Sequence, residues 1–270
     1  DQQKAKDCFE KAIKIDPNNS ITLSNLGMSY YSLGDQQKAK DCFEKAIKID
    51  PKNVSLYSNL GITFNSLDDQ QKARDCFEKA IKINPNDVEA YWNLHSVVSN
   101  IDEAIKILKK LYEINNNYIR AKIMISALEG CKGNFDKFND LMKTPEADHP
   151  YARSTKWVFS LPELPKIFLH HLNFYDAVIA LSDTSRPFYE FGVWRGNSFK
   201  HLIKTYKTGF GFDTFTGLPE DWYDEKRGTY PSFGSVPKIK GGEFIVGKFE
   251  DTLPDFFSWR QSQHPTLASS

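Results

Sequence analysis

The segment DQQKAKDCFEKAIKIDP occupies residues 1–17 and recurs unchanged at 35–51, and a near copy, DQQKARDCFEKAIKINP, occupies 69–85. A 34-residue repeat constrains the fold more than any other feature of this chain. Within a copy, Ala5, Phe9, Ala12 and Ile13 fall at helical spacing, and Pro17 closes the segment because it lacks an N–H and disfavours helix at the residue before it. The stretch between copies is apolar at the same spacing, so the unit is a pair of helices. One such pair cannot bury its own apolar face. Copies must therefore stack into an elongated array.

The repeat resembles the tetratricopeptide family position by position. Leu23, Leu26, Gly27, Tyr30, Ala39, Phe43, Ala46 and Pro51 fall on its signature in one copy. Tyr57, Leu60, Gly61, Phe64, Ala73, Phe77, Ala80 and Pro85 do so in the next. Small Gly27 and Ala39 let the paired helices approach, and Tyr30 and Phe43 fill the groove between them. The third copy starts with Tyr91 and Leu94 and then decays. His95 replaces the glycine, three residues are lost before Ala104, and Asn116 stands where the proline belongs. His95 is read as a packing or solvent residue. Residues 117–144 still read as a helical pair, with Ile119, Ile123, Ile125 and Leu128, then Phe135, Phe138 and Leu141. Residues 1–15 read as a second helix without its first, from which a preceding segment is expected. The resemblance implies a protein or peptide partner held by the array. Asn25, Asn59 and Asn93 recur on the first helices; such amides suit a bound backbone and equally suit plain solvation.

Thirty-five basic residues balance 35 acidic ones. A net charge of zero argues against bulk attraction to nucleic acid or an anionic membrane. The sequence has no apolar run of the ~18 residues a membrane helix needs. Three of the four cysteines, Cys8, Cys42 and Cys76, share one repeat position, and helices at such positions lie about 10 Å apart, too far for a ready disulfide. They are expected to be buried thiols in a reducing, cytoplasmic setting. Residues 145–185 change character, with four prolines and many aromatics, and predict a helix from about Lys166 to Leu181. His170 and His171 are adjacent, so on a helix they point about 100° apart and chelate one ion poorly.

Residues 186–193 read as a buried strand, followed by a glycine turn, a helix from about Ser198 to Tyr206 capped by Asn197 or Ser198, and a second strand ending at Asp213. The glycine spacing is Glu190-x-Gly192-x-x-x-Gly196. It lacks the middle glycine with which a dinucleotide fingerprint admits a pyrophosphate. It has instead the form used for S-adenosylmethionine. There Glu190 would sit near the cationic end, Gly192 and Gly196 would let backbone close on the amino-acid and ribose portions, and Asp213 would accept both ribose hydroxyls. The alternative is a tight strand–helix turn with a helix-capping acid.

FYEFGVWRGNSFKHLI, GFGFDTFTGLPEDW and GEFIVGKFEDTLPDFF together resemble the macrocin O-methyltransferase family over about residues 186–257. The resemblance implies a Rossmann-like class I methyltransferase that uses S-adenosylmethionine. The expected fold is α + α/β: an all-α tetratricopeptide solenoid over 1–144, a helical bridge over 145–185, and a partial methyltransferase domain with the first three strands over 186–270. By matching, Glu190, Gly192, Arg195, Gly196 and Ser198 fall on the glycine loop. Asp213, Thr214 and Phe215 fall on the second strand end, and Gly247, Lys248 and Phe249 follow a third strand at Glu243–Val246. A sugar or other small-molecule hydroxyl is the implied acceptor, and a divalent metal is implied for a longer parent. Trp222, Tyr223 and Tyr230 would line the acceptor pocket or lie on a solvated excursion. The acidic fourth strand of that family has no counterpart before Ser270, so no catalytic base or metal ligand carries over; His264 follows no motif. Without that strand, strand 186–193 would be an apolar edge, and the chain is expected to aggregate or to need a partner. The rival expectation is a non-catalytic repeat scaffold with a degenerate nucleotide fold. A nicotinamide oxidoreductase is a weaker rival, given the glycine spacing.

Overall fold

The structure, a computed structural model, describes residues 2–221, 226–229, 232 and 234–263, with 259–263 as backbone. The chain forms two compact units, one up to Asn173 and one from Phe174, with Ser32–Gly34 grouped in the second. No helix among the described residues is long and apolar enough to cross a membrane.

The first unit is a series of helices: α1 (Gln2–Ile15), α2 (Ser20–Ser32), α3 (Gln36–Ile49), α4 (Val54–Ser66), α5 (Gln70–Ile83), α6 (Val88–His95), α7 (Ile101–Ile114), α8 (Ile119–Cys131), α9 (Asp136–Leu141) and α10 (Pro150–Phe159). The repeated aspartates start the second helices. Asp35 accepts the Lys38 N–H at 3.1 Å and Asp69 the Lys72 N–H at 3.2 Å, each satisfying an otherwise orphan donor. Phe43 and Phe77 are fully buried. The glycines opposite make room for them: a Cβ on Gly27 would lie 2.8 Å from the Phe43 ring, and one on Gly61 2.6 Å from the Phe77 ring. Burying each ring contributes roughly 1.5–3 kcal/mol.

The thiols are free, and their burial differs along the array. Cys42 and Cys76 are buried among the repeat helices. Burial pushes Cys42 up to about 11 and Cys76 up to about 12, which leaves both as inert thiols. Cys8, on α1, is exposed, against the expectation for all three.

In the decayed third copy, α6 has 8 residues where α2 and α4 have 13. The buried His95 ring packs on Trp92 with centroids 4.4 Å apart, and its Nδ1 meets the Trp92 carbonyl. Burial lowers its pKa, so the ring is neutral packing material. The chain then leaves the helix, and Val97 and Val98 bury instead.

Residues after 145 continue the packing of the array. Ile123, Phe138, Leu141 and Ala152 share a core with Phe159, whose ring sits edge-on to Phe135 and Phe138 at 5.1 and 4.9 Å. The expected helix from Lys166 is shorter: α11 spans His171–Ala180, and 166–170 is not helical. Tertiary contacts override helix propensity there. Leu169 packs against the core of α7 and α8, and buried His170 meets the Gln70 amide at 2.6 Å through Nδ1.

The second unit carries a small parallel three-stranded sheet: β1 (Phe188–Phe191), β2 (Gly209–Asp213) and β3 (Gly242–Val246), in the order β1-β2-β3. Helix α12 (Asn197–Tyr206) links β1 to β2, and α13 (Phe249–Gln263) follows β3. Strand β2 alternates in composition as well as direction. Phe210 and Phe212 pack with Phe256 of α13 on one face. On the other, Gly209 and Gly211 are bare. A Cβ on Gly209 would lie 2.3 Å from Phe188, and one on Gly211 2.7 Å from Phe244, the residues paired with them on β1 and β3. The flanking rings close over the glycines and meet Phe199 of α12 at 4.7 Å on either side. Among the described residues β1 is an edge strand, with Tyr189 and Phe191 38% and 50% exposed.

Candidate functional site

Residues that follow the C-terminal ends of the three strands line an open cavity of about 400 Å³. Ligands of open parallel sheets bind on this side, where strand ends turn outward. Six of the residues singled out in the sequence line it: Gly192, Asp213, Thr214, Gly247, Lys248 and Phe249. Phe191, Trp194, Gly217, Leu218, Pro219 and Thr229 complete the lining and carried no assigned role in the sequence.

Asp213 organises the mouth. Its Oδ2 accepts the Trp194 N–H at 2.8 Å and its Oδ1 accepts the Phe215 N–H at 2.7 Å. Both donors belong to aromatic residues with left-handed backbone, Trp194 at φ 51° and Phe215 at φ 56°. Bulky residues rarely adopt that conformation. One carboxylate therefore holds two strained turns, and each of its oxygens has a second lone pair.

Five predicted residues lie elsewhere. Gly196, at φ 72°, has Pro237 and Ile239 within 3.2 Å of where a Cβ would sit, so its bareness serves internal packing. It also occupies the N-cap of α12, which has no side-chain cap. Neither expected cap, Asn197 or Ser198, serves there, and Ser198 donates its hydroxyl to Glu190 Oε1 instead. Arg195 stacks its guanidinium on the Trp194 ring at 4.4 Å, and Phe215 is buried in the core with Phe188 and Phe199. Glu190 is outside the lining. Trp222, Tyr223, Tyr230 and His264 lie outside the described residues. No group of three or more His, Cys, Asp or Glu side chains that could hold a metal ion occurs among the described residues.

Glu190 has a titration of its own. Burial pushes its carboxyl up from 4.5 to about 7; the Ser198 hydroxyl opposes this and the Asp213 charge adds to it. The folded state keeps a proton that the unfolded chain releases near 4.5. Stability is therefore fully present below about pH 4.5 and is lost as pH rises through about 7. Urea unfolding of the second unit is expected to show a loss of roughly 2 kcal/mol between about pH 5 and pH 8, after discounting for solvent screening. Glu190→Gln should flatten that slope. An identical slope in the variant would show that Glu190 is not its source.

Residues 20–53 and 54–87 match a family model described as tetratricopeptide repeat, and residues 1–19 match a second model of the same description. No curated protein matches the chain. Among solved structures, the chain is similar to the crystal structure of MamA, with 28% identity over 58% of this chain and 90% of that one and a TM-score of 0.49. It is also similar to YrrB, titled a TPR protein with an unusual peptide-binding site, with 23% identity over 58% of this chain and 84% of that one and a TM-score of 0.49. The N-terminal stretch of this chain, through residue 87, consists of tetratricopeptide repeats.

Proposed function

We propose that the repeat array is a protein-interaction scaffold that holds an extended peptide segment along its first helices. One observation carries this reading. Asn25, Asn59 and Asn93 stand at one position of α2, α4 and α6, 34 residues apart, and among the described residues no side-chain amide of the three has a hydrogen-bond partner. Asn25 is exposed and the other two are half-buried, so all three remain reachable. Each amide offers a donor and an acceptor, the pair that an extended backbone presents in return. Also on α4, Ser58 Oγ and Asn65 Oδ1 are buried without a partner. Such atoms cost free energy unless a ligand or water satisfies them. Panning a random peptide library on the full chain should enrich binders whose affinity falls at least about tenfold in the Asn25→Ala, Asn59→Ala, Asn93→Ala triple variant. Enriched peptides that bind the triple variant as well as the parent would sink the reading, as would no enrichment.

A second reading concerns the strand-end cavity: it holds S-adenosylmethionine. The clustering of Gly192, Asp213, Thr214, Gly247, Lys248 and Phe249 around one cavity favours it. The volume suits a nucleoside-sized ligand. The spare lone pairs of Asp213 suit vicinal ribose hydroxyls, and Gly192, with nothing within 4 Å of its missing Cβ, leaves space beside the turn. When bound, the cofactor would supply a methyl group for an acceptor hydroxyl, of a sugar or another small molecule. Neither matched family model extends past residue 87, so this reading rests on the cavity and the sequence resemblance. Calorimetry of the full chain with S-adenosylmethionine and S-adenosylhomocysteine tests it. No heat of binding, or displacement by NAD, would reject it.

A further inference from the structure

We propose that the strand-end cavity selects a positively charged ligand, recognised by the aromatic side chains of Phe191 and Trp194, so that a sulfonium cofactor is held in preference to its neutral thioether product. The proposal rests on the second reading above and adds to it the source of selectivity.

The lining combines three aromatic side chains, Phe191, Trp194 and Phe249, with the Asp213 carboxylate. An aromatic face carries partial negative charge and attracts a cation within about 6 Å of its centre. Lys248 is the basic residue among the described lining, and its ammonium lies on Glu250 at 3.1 Å. An anion would meet the Asp213 carboxylate, and the Lys248 ammonium that could offset it is drawn to Glu250, whereas a sulfonium or other organic cation would meet a carboxylate and aromatic rings.

The rings are held in place. Phe191 stacks on Phe212 at 5.2 Å and meets Phe249 edge-on at 5.8 Å. Trp194 takes the Arg195 guanidinium on its ring, and Arg195 does not itself line the cavity. The indole is thus fixed by a cation outside the cavity and pinned through its backbone by Asp213. Left-handed backbone at a residue as bulky as tryptophan is a costly conformation, of the kind that persists at ligand clamps.

The test compares two ligands of nearly identical shape that differ by one methyl and one positive charge. Calorimetry of the full chain should give Phe191→Leu and Trp194→Leu affinities for S-adenosylmethionine about three- to tenfold below the parent. Their affinities for S-adenosylhomocysteine should change less than about twofold. Trp194→Phe, which keeps a ring, should retain most of the preference. The neutral ligand doubles as a folding control. If Trp194→Leu loses both ligands through misfolding, Phe191→Leu, at a half-exposed strand end, decides the matter. Equal loss of both ligands in well-folded variants would overturn cation selection and leave the cofactor reading standing. Failure of the parent to bind either ligand would overturn both.

Discussion

Asp213→Ala is expected to destabilise the second unit by about 3 kcal/mol and to abolish the S-adenosylmethionine binding proposed for the strand-end cavity. The substitution removes two hydrogen bonds from backbone N–H groups to a carboxylate, each worth about 1.5–3 kcal/mol. It also releases Trp194 and Phe215, whose left-handed backbones cost about 1–2 kcal/mol apiece, so part of the loss returns as relieved strain. Asp213→Asn should fall between the two. Its amide oxygen still accepts one N–H, while its NH₂ group faces the other as donor against donor. Two measurements separate this account from a simple ligand contact. Hydrogen exchange at the Trp194 and Phe215 amides should speed up in both variants without any ligand present. Trp194→Gly, which adopts a left-handed backbone freely, should cost less in the Asp213→Ala background than in the parent. Unchanged protection of both amides would show that Asp213 does not hold the turns.

That dual role marks where sequence reasoning stopped. The spacing from Gly192 to Asp213 locates the acid at a strand end, since strand length and turn chemistry are local properties. It does not say what already occupies the carboxylate. Its first partners are two backbone N–H groups from two different loops, and a backbone donor leaves no mark in composition. Gly196 shows the same gap. A glycine at φ 72° signals a turn, but whether the missing Cβ admits a ligand or Pro237 depends on residues 41 positions downstream. Asn197 or Ser198 is the expected cap because helix starts favour asparagine and serine, and the Glu190 carboxyl of β1, eight residues upstream, takes the Ser198 hydroxyl instead. In β2, GFGFD reads simply as a strand. That its glycines are the floor for Phe188 and Phe244 follows only from register with two other strands. Trp194 carries no mark in the sequence because its place in the cavity lining depends on a backbone dihedral.

The array was legible for the opposite reason. Its determinants repeat, and each is met by a partner at a fixed offset: Gly27 by Phe43 sixteen residues on, and Gly61 by Phe77 at the same distance. The decay of the third copy shows in the sequence as well, because His95 and the lost residues break the same offset; legibility failed in the contacts that hold Leu169 and His170 out of the helix.

That fixed pairing sets the largest expected effect in the first unit. In Gly61→Val the new Cβ would lie 2.6 Å from Phe77 Cε1, and Phe77 is 1% exposed with nowhere to retreat. Overpacking of a closed core costs typically 1–3 kcal/mol, and two methyls beyond the clashing Cβ place this substitution at or above the upper end. A valine in place of glycine gains some helix propensity, too little to offset the clash. Helix melting followed by circular dichroism should fall by several degrees and broaden as the hairpin α4–α5 separates from its neighbours. Gly34→Ala is the control. That glycine sits at φ 84° with open space around it, so only backbone strain of about 1 kcal/mol is expected. A second change discriminates further. Phe77→Leu opens a cavity in the parent at a cost of a few kcal/mol, yet in the Gly61→Val background it should cost far less, because the shorter side chain vacates the space the valine needs. Additive losses in that cycle would mean that Gly61 and Phe77 do not form the contact on which the helix pairing of this copy depends.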